Sequence, residues 1–540
     1  MNSSTWPMIV EDAPFQHAPS RLSLAIGGFA VASSMMFLLE QLGVPPSVIS
    51  WALFLILAII AVAFSVMGRT LESSTFFSAN RLAPAVVIAV ADSASWIGGI
   101  MLVSLAFSER DTTVYLAPAI ALAWFLSSQF IAPYYRRSTP LSVPDYFAHR
   151  FRSSLIRLLS FVILLMVAAA LLNANLRLGA DLISSLLGLA TQTSATMLMV
   201  SMVICMVIGG VKGSLWLGLA LTTAAITLLL TPAIYLAVVD GPSPVSSLIA
   251  PPSALQDPQR LDEATALTKK MWIDAGRVGI MIAGGAVLAV CFGKSNSART
   301  VSTVRDSGTW SLLIGAVLMA LVLTTLPLLI RPDTADSLPA ILTILPELGL
   351  VALCFIGGSC ALLAAANSMA HDVFRRIIAR KTSKGRRMFL ARFLMIVFAY
   401  GMLYYGDRIE LLPFDLVLWA LGLAASTLFV PFVASIWWSR CTKWGVNTAI
   451  LAGMVTYLSP AAITYINARN LLEGLQPEQM ALLVKLSSQP IELAAMAGFF
   501  VSLITITLVS VVTPAPSEDR RRFLSELRKP LGERLIVDRI

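Results

Sequence analysis

The chain has 540 residues, of which 57% are hydrophobic and only 13% are charged, and its mean hydropathy is +0.80. Because soluble domains carry about 25% charged residues, this composition excludes a soluble protein and predicts a polytopic membrane protein. The 5 cysteines show neither metal-type spacing nor a loop pair suited to a disulfide. The net charge of +9 does not indicate nucleic-acid binding, because the basic residues gather in short loops, as orientation signals do.

Apolar runs long enough to cross a bilayer recur along the chain and predict about fourteen transmembrane helices. The polar leader over 1–21 lacks the basic start and cleavage site of a signal peptide, so we expect it to remain in the mature protein. In chain order the runs lie at 22–42, 48–68, 83–107, 114–135, 155–186, 193–210, 214–238, 272–293, 309–330, 338–371, 388–405, 412–437, 446–466 and 489–513.

Lysine and arginine concentrate in alternate loops, which the positive-inside rule assigns to the cytoplasm. An even number of helices then predicts that both termini are cytoplasmic, in a bacterial-type inner membrane. The basic tail over 514–540 fits this side, and we interpret it as solvated in preference to lipid-bound. The basic loop residues are Arg136, Arg137, Arg150, Arg152, Lys212, Lys294, Arg299, Arg305, Arg375, Arg376, Arg380, Lys381, Lys384, Arg386 and Arg387.

The run 83–107 contains a single charged residue, Asp92, in the stretch AVADSASWIGGI. An ionised carboxylate at the centre of a membrane helix costs about 2.5–3.5 kcal/mol, so its presence predicts a functional role. The glycine pair Gly98–Gly99 follows it, and a second pair, Gly284–Gly285, lies in the run 272–293. Glycine-interrupted segments at matching positions in two halves indicate the broken helices of an inverted-repeat transporter. For the second pair alone, close packing of helices is the preferred interpretation, whereas the first pair, beside Asp92, favours a broken helix.

Four further stretches occur in a characteristic order: FFSANRLAPAVVIAVADSASWIGG at 76–99, LSVPDYFAHRF at 141–151, GGVKGSLW at 209–216 and ALLAAANSMAHDVFRRI at 361–377. Together they resemble the sodium/solute symporter family, and the resemblance covers residues 50–465. Within that family, LWALGLAASTLFVPF at 418–432 is similar to the acetate and monocarboxylate permease branch. The DSASW stretch is similar to the proline permease branch.

The resemblance implies an all-α, leucine-transporter-like core of five plus five inverted helices over 83–437. Two peripheral helices precede this core within 22–68, and two follow it within 446–513. The resemblance also implies secondary active transport driven by sodium, with one sodium ion between the first and the eighth core helix. The cation ligands that it implies are Asp92, Val90, Ser93, Leu353, Ile356, Gly357 and Ser359.

The identity of the coupling cation is open at this point. Ile356 and Gly357 stand where the family has a Ser–Thr pair, and sodium, a hard cation, prefers oxygen ligands. Proton coupling at Asp92 is the alternative, because burial moves a carboxyl pKa towards neutrality. Loss of coupling is a third option, and no other cofactor is expected.

Polar and small residues near the predicted break are the candidates for solute binding. Arg177 and Asp181 are spaced i, i+4, so a helix-face ion pair is preferred, with capture of a solute carboxylate by Arg177 as the alternative. For Trp96, a wall of the solute cavity and ordinary packing are equally supported. The candidate solute-binding residues are Ser93, Ser95, Trp96, Gly98, Gly99, Asn175, Arg177, Gly284 and Gly285.

These features predict a cation-coupled importer of a small organic solute and not an enzyme. No nucleotide-binding motif is visible, and no soluble segment exceeds about 35 residues, which is too short for a catalytic domain. A short monocarboxylate is the first solute expected, with proline or another amino acid second. The alternative is a membrane sensor or regulatory subunit that binds without transport. The expected partners are the solute, the cation and the lipid bilayer, with a small accessory membrane subunit left open and no nucleic acid.

Overall fold

The computed structural model describes residues 15, 18–95, 110–239, 261–330, 339–378, 383–409, 411–468 and 490–529. Within these ranges the chain is helical, with one isolated β-bridge between Ala83 and Ala298. Turns of π-helix at Ser127–Ile131, Met369–Ile378 and Ala425–Phe429 follow α5, α12 and α14 directly. The α-helices are α1 (Ala18–Gln41), α2 (Pro46–Met67), α3 (Ser73–Ser78), α4 (Ala85–Asp92), α5 (Arg110–Leu126), α6 (Ala132–Arg137), α7 (Val143–Phe151), α8 (Ser154–Leu187), α9 (Thr191–Val239), α10 (Leu261–Phe292), α11 (Val301–Ile330), α12 (Ile341–Ser368), α13 (Lys384–Tyr405), α14 (Pro413–Ala424), α15 (Val430–Trp437), α16 (Lys443–Ala468), α17 (Ile491–Val512) and α18 (Glu518–Arg528).

Twelve stretches within the described ranges are long and apolar enough to cross a membrane. One of them, within α9, contains Gly210 with φ 53° and ψ −144°, so α9 consists of two helices that meet at a sharp turn. A Cβ atom at Gly210 would lie 2.8 Å from the carbonyl oxygen of Phe76, which explains why glycine stands there. The predicted runs 193–210 and 214–238 are these two helices, and the predicted all-helical polytopic architecture is confirmed.

The centre of the bundle is formed by α12 and by α14 with α15. In the most apolar part of each span, 94% of the residues are buried for α12 and 83% for α14 and α15, compared with 17% for α13 and 6% for α1. Helices in lipid approach one another closely through small residues, and α12 carries the stretch GGSCALLAAANS. The central helices therefore pack against protein on all sides, whereas α1 and α13 lie at the periphery.

The start of α4 is paired with the segment that follows α10. The backbone N–H of Ala83 donates to the carbonyl of Ser297 at 3.0 Å, and Arg299 N–H donates to the carbonyl of Ala83 at 3.3 Å. Both chains continue from this contact in a defined direction, since α4 begins at Ala85 and α10 ends at Phe292. The pairing therefore places the residues after α10 alongside α4.

Candidate functional site

The first core helix ends at the acidic residue that the sequence singled out. Asp92 is the last residue of α4, and the Ser95 N–H donates to its carbonyl at 3.1 Å in the turn that follows. The Asp92 carboxylate accepts the backbone N–H of Lys294, at 2.9 Å for Oδ1 and 3.1 Å for Oδ2. Lys294 Nζ lies 3.6 Å from Oδ1, in a side chain that is 3% exposed. A buried ion pair therefore joins the end of α4 to the segment after α10.

The ammonium group of Lys294 contacts two further elements. It donates to the carbonyl of Ala91 in α4 at 3.3 Å and approaches Cys360 Sγ in α12 at 3.4 Å. A carboxylate and a helix-end carbonyl are ligands suited to a cation, and the cation present at this place is a side chain of the protein itself. Lys294, which the sequence places among the basic loop residues, is therefore a buried charge.

Of the residues implied as cation ligands, those at the end of α4 already make contacts within that segment. The Val90 carbonyl accepts the Ser93 hydroxyl at 2.8 Å, and the Ser95 hydroxyl donates to Asp92 Oδ1 at 3.2 Å. On α12 it is Cys360, one residue beyond the predicted Ser359, that contacts Lys294. The predicted ligands on that helix, Leu353, Ile356, Gly357 and Ser359, all lie buried within the unbroken α12.

The second glycine pair does not interrupt its helix. The helix α10 continues through Gly284 and Gly285 to Phe292, which agrees with the preferred packing interpretation of this pair and not with a helix break. A Cβ atom at Gly284 would lie 2.2 Å from the carbonyl oxygen of Leu421 in α14, so this glycine permits close packing of the two helices. The predicted residues Trp96, Gly98 and Gly99 lie outside the described residues.

The two polar candidates on α8 bind backbone carbonyls. Asn175 is 1% exposed and donates to the carbonyl of Leu171 at 2.8 Å within its own helix. Arg177 donates to the carbonyls of Ile409 and Leu411 at 2.9 and 2.7 Å, in the segment before α14. In the described residues, the Arg177 guanidinium thus stabilises a helix connection, and solute binding by either residue stays a prediction.

A small cavity of about 80 Å³ lies next to Lys294. This volume accommodates several water molecules and lies well below that of a pocket for a drug-sized ligand. Its wall includes Ser142 and Ser368, whose hydroxyls both donate to Asp372 Oδ2 at 2.6 Å. The other polar lining residues are Ser214, Asn296, Ser297 and Asn367. The cavity therefore forms a polar connection from the Asp92–Lys294 pair to Asp372.

Beyond this cavity, a second buried carboxylate is surrounded by cations. Asp145 Oδ1 lies 3.2 Å from Arg157 Nη2 and 3.9 Å from Arg376 Nη2, and Asp145 Oδ2 lies 3.4 Å from His371 Nε2. Burial alone would raise the pKa of Asp145, but its contacts with His371 and the charges of His149 and Arg376 outweigh burial and lower that pKa. The ion pairs therefore hold this carboxyl group in its ionised form.

Asp145, His371 and Asp372 form a network that sequence reasoning did not assign. Their side-chain donor atoms lie within 4.8 Å of one another, a spacing that a metal ion would also require. Arg157 and Arg376 already balance the negative charge, so we interpret the cluster as an ion-pair network. Two stretches that carry the family resemblance, LSVPDYFAHRF and ALLAAANSMAHDVFRRI, contain all three residues. The occurrence of all three residues in these stretches was the signal from which the network could have been predicted.

Part of the chain matches the model of a known protein family. Residues 76–249 match the model of the sodium:solute symporter family. The resemblance read from the sequence is thereby confirmed over this segment, which contains α4 to α9. An uncharacterized symporter of Cupriavidus necator is 29% identical over 130 residues, which are 23% of this chain and 18% of that protein. The match thus spans less than a fifth of that relative's length.

Solved structures show the fold. A Na+-coupled sialic acid symporter in a substrate-bound, outward-open state superposes with a TM-score of 0.63 at 12% identity, covering 88% of this chain and 99% of that chain. Mhp1, a nucleobase-cation-symport-1 family transporter in a closed conformation, gives a TM-score of 0.51 at 11% identity, covering 85% and 99%. The predicted leucine-transporter-like fold is confirmed.

Proposed function

We propose that this chain is a cation-coupled symporter that imports a small organic solute by alternating access. The observation that carries this proposal is that the first core helix ends inside the bundle at Asp92, in a fold shared with symporters. Backbone groups freed at such a helix end, together with a buried acid, suit the binding of an ion and a solute near the membrane midplane. The family match over 76–249 supports the same function.

The proposed solute is a short monocarboxylate, with proline or another amino acid as the second choice. The support for this order is the similarity of the stretch 418–432 to the monocarboxylate permease branch. The proposed location is a bacterial-type inner membrane with both termini in the cytoplasm, supported by the basic residues of the alternate loops. An accessory membrane subunit stays a prediction.

For the coupling cation we favour the proton over sodium. The Lys294 ammonium lies between α4 and α12, where the resemblance implies a sodium ion, and it already contacts the carboxylate and carbonyl that would bind one. A second cation at this place would be repelled at short range in a medium of low dielectric constant. Transport without a sodium requirement is therefore proposed.

In this conformation the side of the bundle that contains Asp145 is closed. The hydroxyl of Ser142 in the segment before α7 binds Asp372, and Asp145 in α7 contacts His371, so these bonds hold α7 against the end of α12. The cavity behind them, of about 80 Å³, is smaller than a typical ligand pocket. Release of the solute towards this side requires α7 to separate from the segment at the end of α12. The cavity next to Lys294 lies on this path.

Uptake into proteoliposomes tests the proposal. Radiolabelled acetate, pyruvate and proline are offered with sodium and pH varied independently, and we expect one of them to accumulate under an inward proton gradient, equally in sodium and potassium salts. Asp92→Asn should abolish this accumulation, whereas Asp181→Asn, an exposed carboxylate on α8, should retain it.

Two outcomes would contradict parts of the proposal separately. Accumulation that follows a sodium gradient at constant pH would overturn the coupling assignment and leave transport intact. Saturable binding of a solute without flux under any gradient would instead favour the membrane sensor, for which a fixed Asp92–Lys294 pair is also suitable.

A further inference from the structure

A second cavity, of about 440 Å³, lies where the carboxyl-terminal helix α18 meets the membrane-spanning bundle. Its walls come from the end of α7, from the turn that precedes α16 and from the segment Pro514–Ser517. Four cationic side chains line it, and the lining residues within the described ranges include no carboxylate. The cationic residues are Arg150, Arg152, Lys443 and Arg520. A cavity with this lining favours an anion.

One of these cations is buried and incompletely satisfied. Arg150 is 1% exposed, and its Nε donates to the carbonyl of Ser435 at 3.1 Å. Its Nη2 atom has no hydrogen-bond partner. A buried guanidinium N–H without a partner is costly, and an anion in the adjacent cavity supplies the missing acceptor. The planar guanidinium group is well suited to the oxygens of a phosphate.

The wall that α18 contributes is a fixed part of the fold. Leu524 and Leu527 are buried, Arg528 Nε donates to the carbonyl of Ile436 at 2.7 Å, and Arg520 Nη1 donates to the carbonyl of Arg150 at 2.8 Å. Residues 518–528 of the tail therefore form an amphipathic helix, whose buried leucines face the bundle while most of its other residues are exposed. Arg520 is held at the cavity by the same contact that docks the helix.

The position of the cavity relative to the membrane indicates the source of the anion. Lys443 begins one membrane-spanning stretch and Val512 ends another. The exposed tryptophans Trp437 and Trp444 lie at the same ends of their helices, as aromatic residues do at the membrane–water interface. Lipid phosphates lie at this depth. Arg152 and Lys443 are exposed and can meet a headgroup from outside.

We propose that this cavity binds a phosphate-bearing anion, either the headgroup of an anionic lipid or a free phosphate compound. The bound anion completes the hydrogen bonds of Arg150 and strengthens the docking of α18, because Arg520 lines the cavity and also holds the helix. This site is separate from the Asp92–Lys294 pair, and its occupancy does not depend on the transport proposal.

The test measures thermal unfolding of the purified full-length protein in a neutral detergent. The additions are phosphatidylglycerol, phosphatidylcholine, inorganic phosphate, and chloride at matched ionic strength. We expect phosphatidylglycerol or phosphate to raise the unfolding temperature, and phosphatidylcholine and chloride to leave it unchanged. Stabilisation by phosphatidylglycerol but not by phosphate identifies a lipid site, whereas the reverse identifies a site for a free phosphate compound.

Matched variants make this test specific. Arg152→Gln and Lys443→Gln each remove one lining charge. Each variant should need an anion concentration about five times higher for the same stabilisation, as expected for one basic residue near an anionic surface. Arg521→Gln removes an equal charge from α18 outside the cavity lining and should leave the effect unchanged. The proposal is overturned if neither anion stabilises the protein, or if Arg521→Gln weakens the effect as much as the cavity variants do.

Discussion

Two carboxylates in the interior of the bundle, Asp92 and Asp145, are balanced in different ways. Asp92 faces a single ammonium group, that of Lys294, at 3.6 Å. Asp145 faces Arg157 of α8 and both Arg376 and His371 of the π-helical segment Met369–Ile378. A charge with one partner can exchange that partner in a single step. A charge with several partners holds together the helices and segments that carry those partners until every contact is broken.

The comparison assigns the two sites different tasks. Asp92 and Lys294 form a pair whose members can part when a solute or a proton arrives, which is what a coupling site requires. Asp145 and its neighbours connect α7, α8 and the segment that follows α12, which suits the closed gate of the proposed transport cycle. Substitutions of the two carboxylates should therefore have effects that differ in nature and in magnitude.

The largest loss of stability is expected for Asp145→Asn. Removal of one partner from a buried ion-pair network leaves the remaining charges uncompensated, which typically costs about 3–5 kcal/mol. Thermal unfolding of the purified protein at neutral pH measures this loss. Asp274→Asn is the control, because Asp274 lies 3.9 Å from Arg277 with both side chains partly exposed, and it should cost less than about 1 kcal/mol. Equal losses for both variants would remove the distinction between the network and an ordinary surface pair.

A smaller loss, about 3 kcal/mol, is expected for Asp92→Asn. The Asp92 side chain is 15% exposed, and Lys294 keeps its contact with the carbonyl of Ala91, so part of the ammonium charge stays compensated. The double variant Asp92→Asn, Lys294→Met removes both charges and should be more stable than Asp92→Asn alone. A double-mutant cycle by thermal unfolding measures this coupling, and a double variant that shows the full sum of both single losses would rule the pair out.

The helix that carries Lys294 towards Asp92 gives the next test. Gly284→Ala places a methyl group against the Leu421 carbonyl, at 2.2 Å before relaxation, and should cost about 1–3 kcal/mol through overpacking. Gly279→Ala on the same helix meets nothing within 4 Å and should be neutral or stabilising. Thermal unfolding compares the two variants. If both behave alike, close packing is not the reason for glycine at position 284.

The sequence was sufficient to locate the spans and Asp92 but not the partner of Asp92. The apolar runs were visible because the bilayer demands long hydrophobic stretches, and Asp92 because no other charge lies in its run. Lys294 follows the end of a run, where the positive-inside rule assigns a loop. Its burial depends on pairing between Ala83 and Ala298, a tertiary contact that no local pattern reveals. The spacing of Gly284 and Gly285 likewise cannot distinguish a helix break from a packing contact.

The smallest expected effect is the change of stability with pH that arises from the ionisation of Asp145. Its pKa in the folded protein is lowered, below the ordinary value of about 3.9, so its ionised form stabilises the fold fully above that value. This stabilisation is lost as the pH falls below about 4, towards the lowered pKa.

Between pH 7 and 5 the ionisation of Asp145 should therefore cause no change of the free energy of unfolding with pH. Below about pH 4, the difference in unfolding temperature between the wild type and Asp145→Asn should narrow. Glu518→Gln, on an exposed face of α18, should show no such convergence. A difference that narrowed already between pH 7 and 5 would mean that Asp145 is not held ionised by its cations, and the contrast with Asp92 would lose its basis.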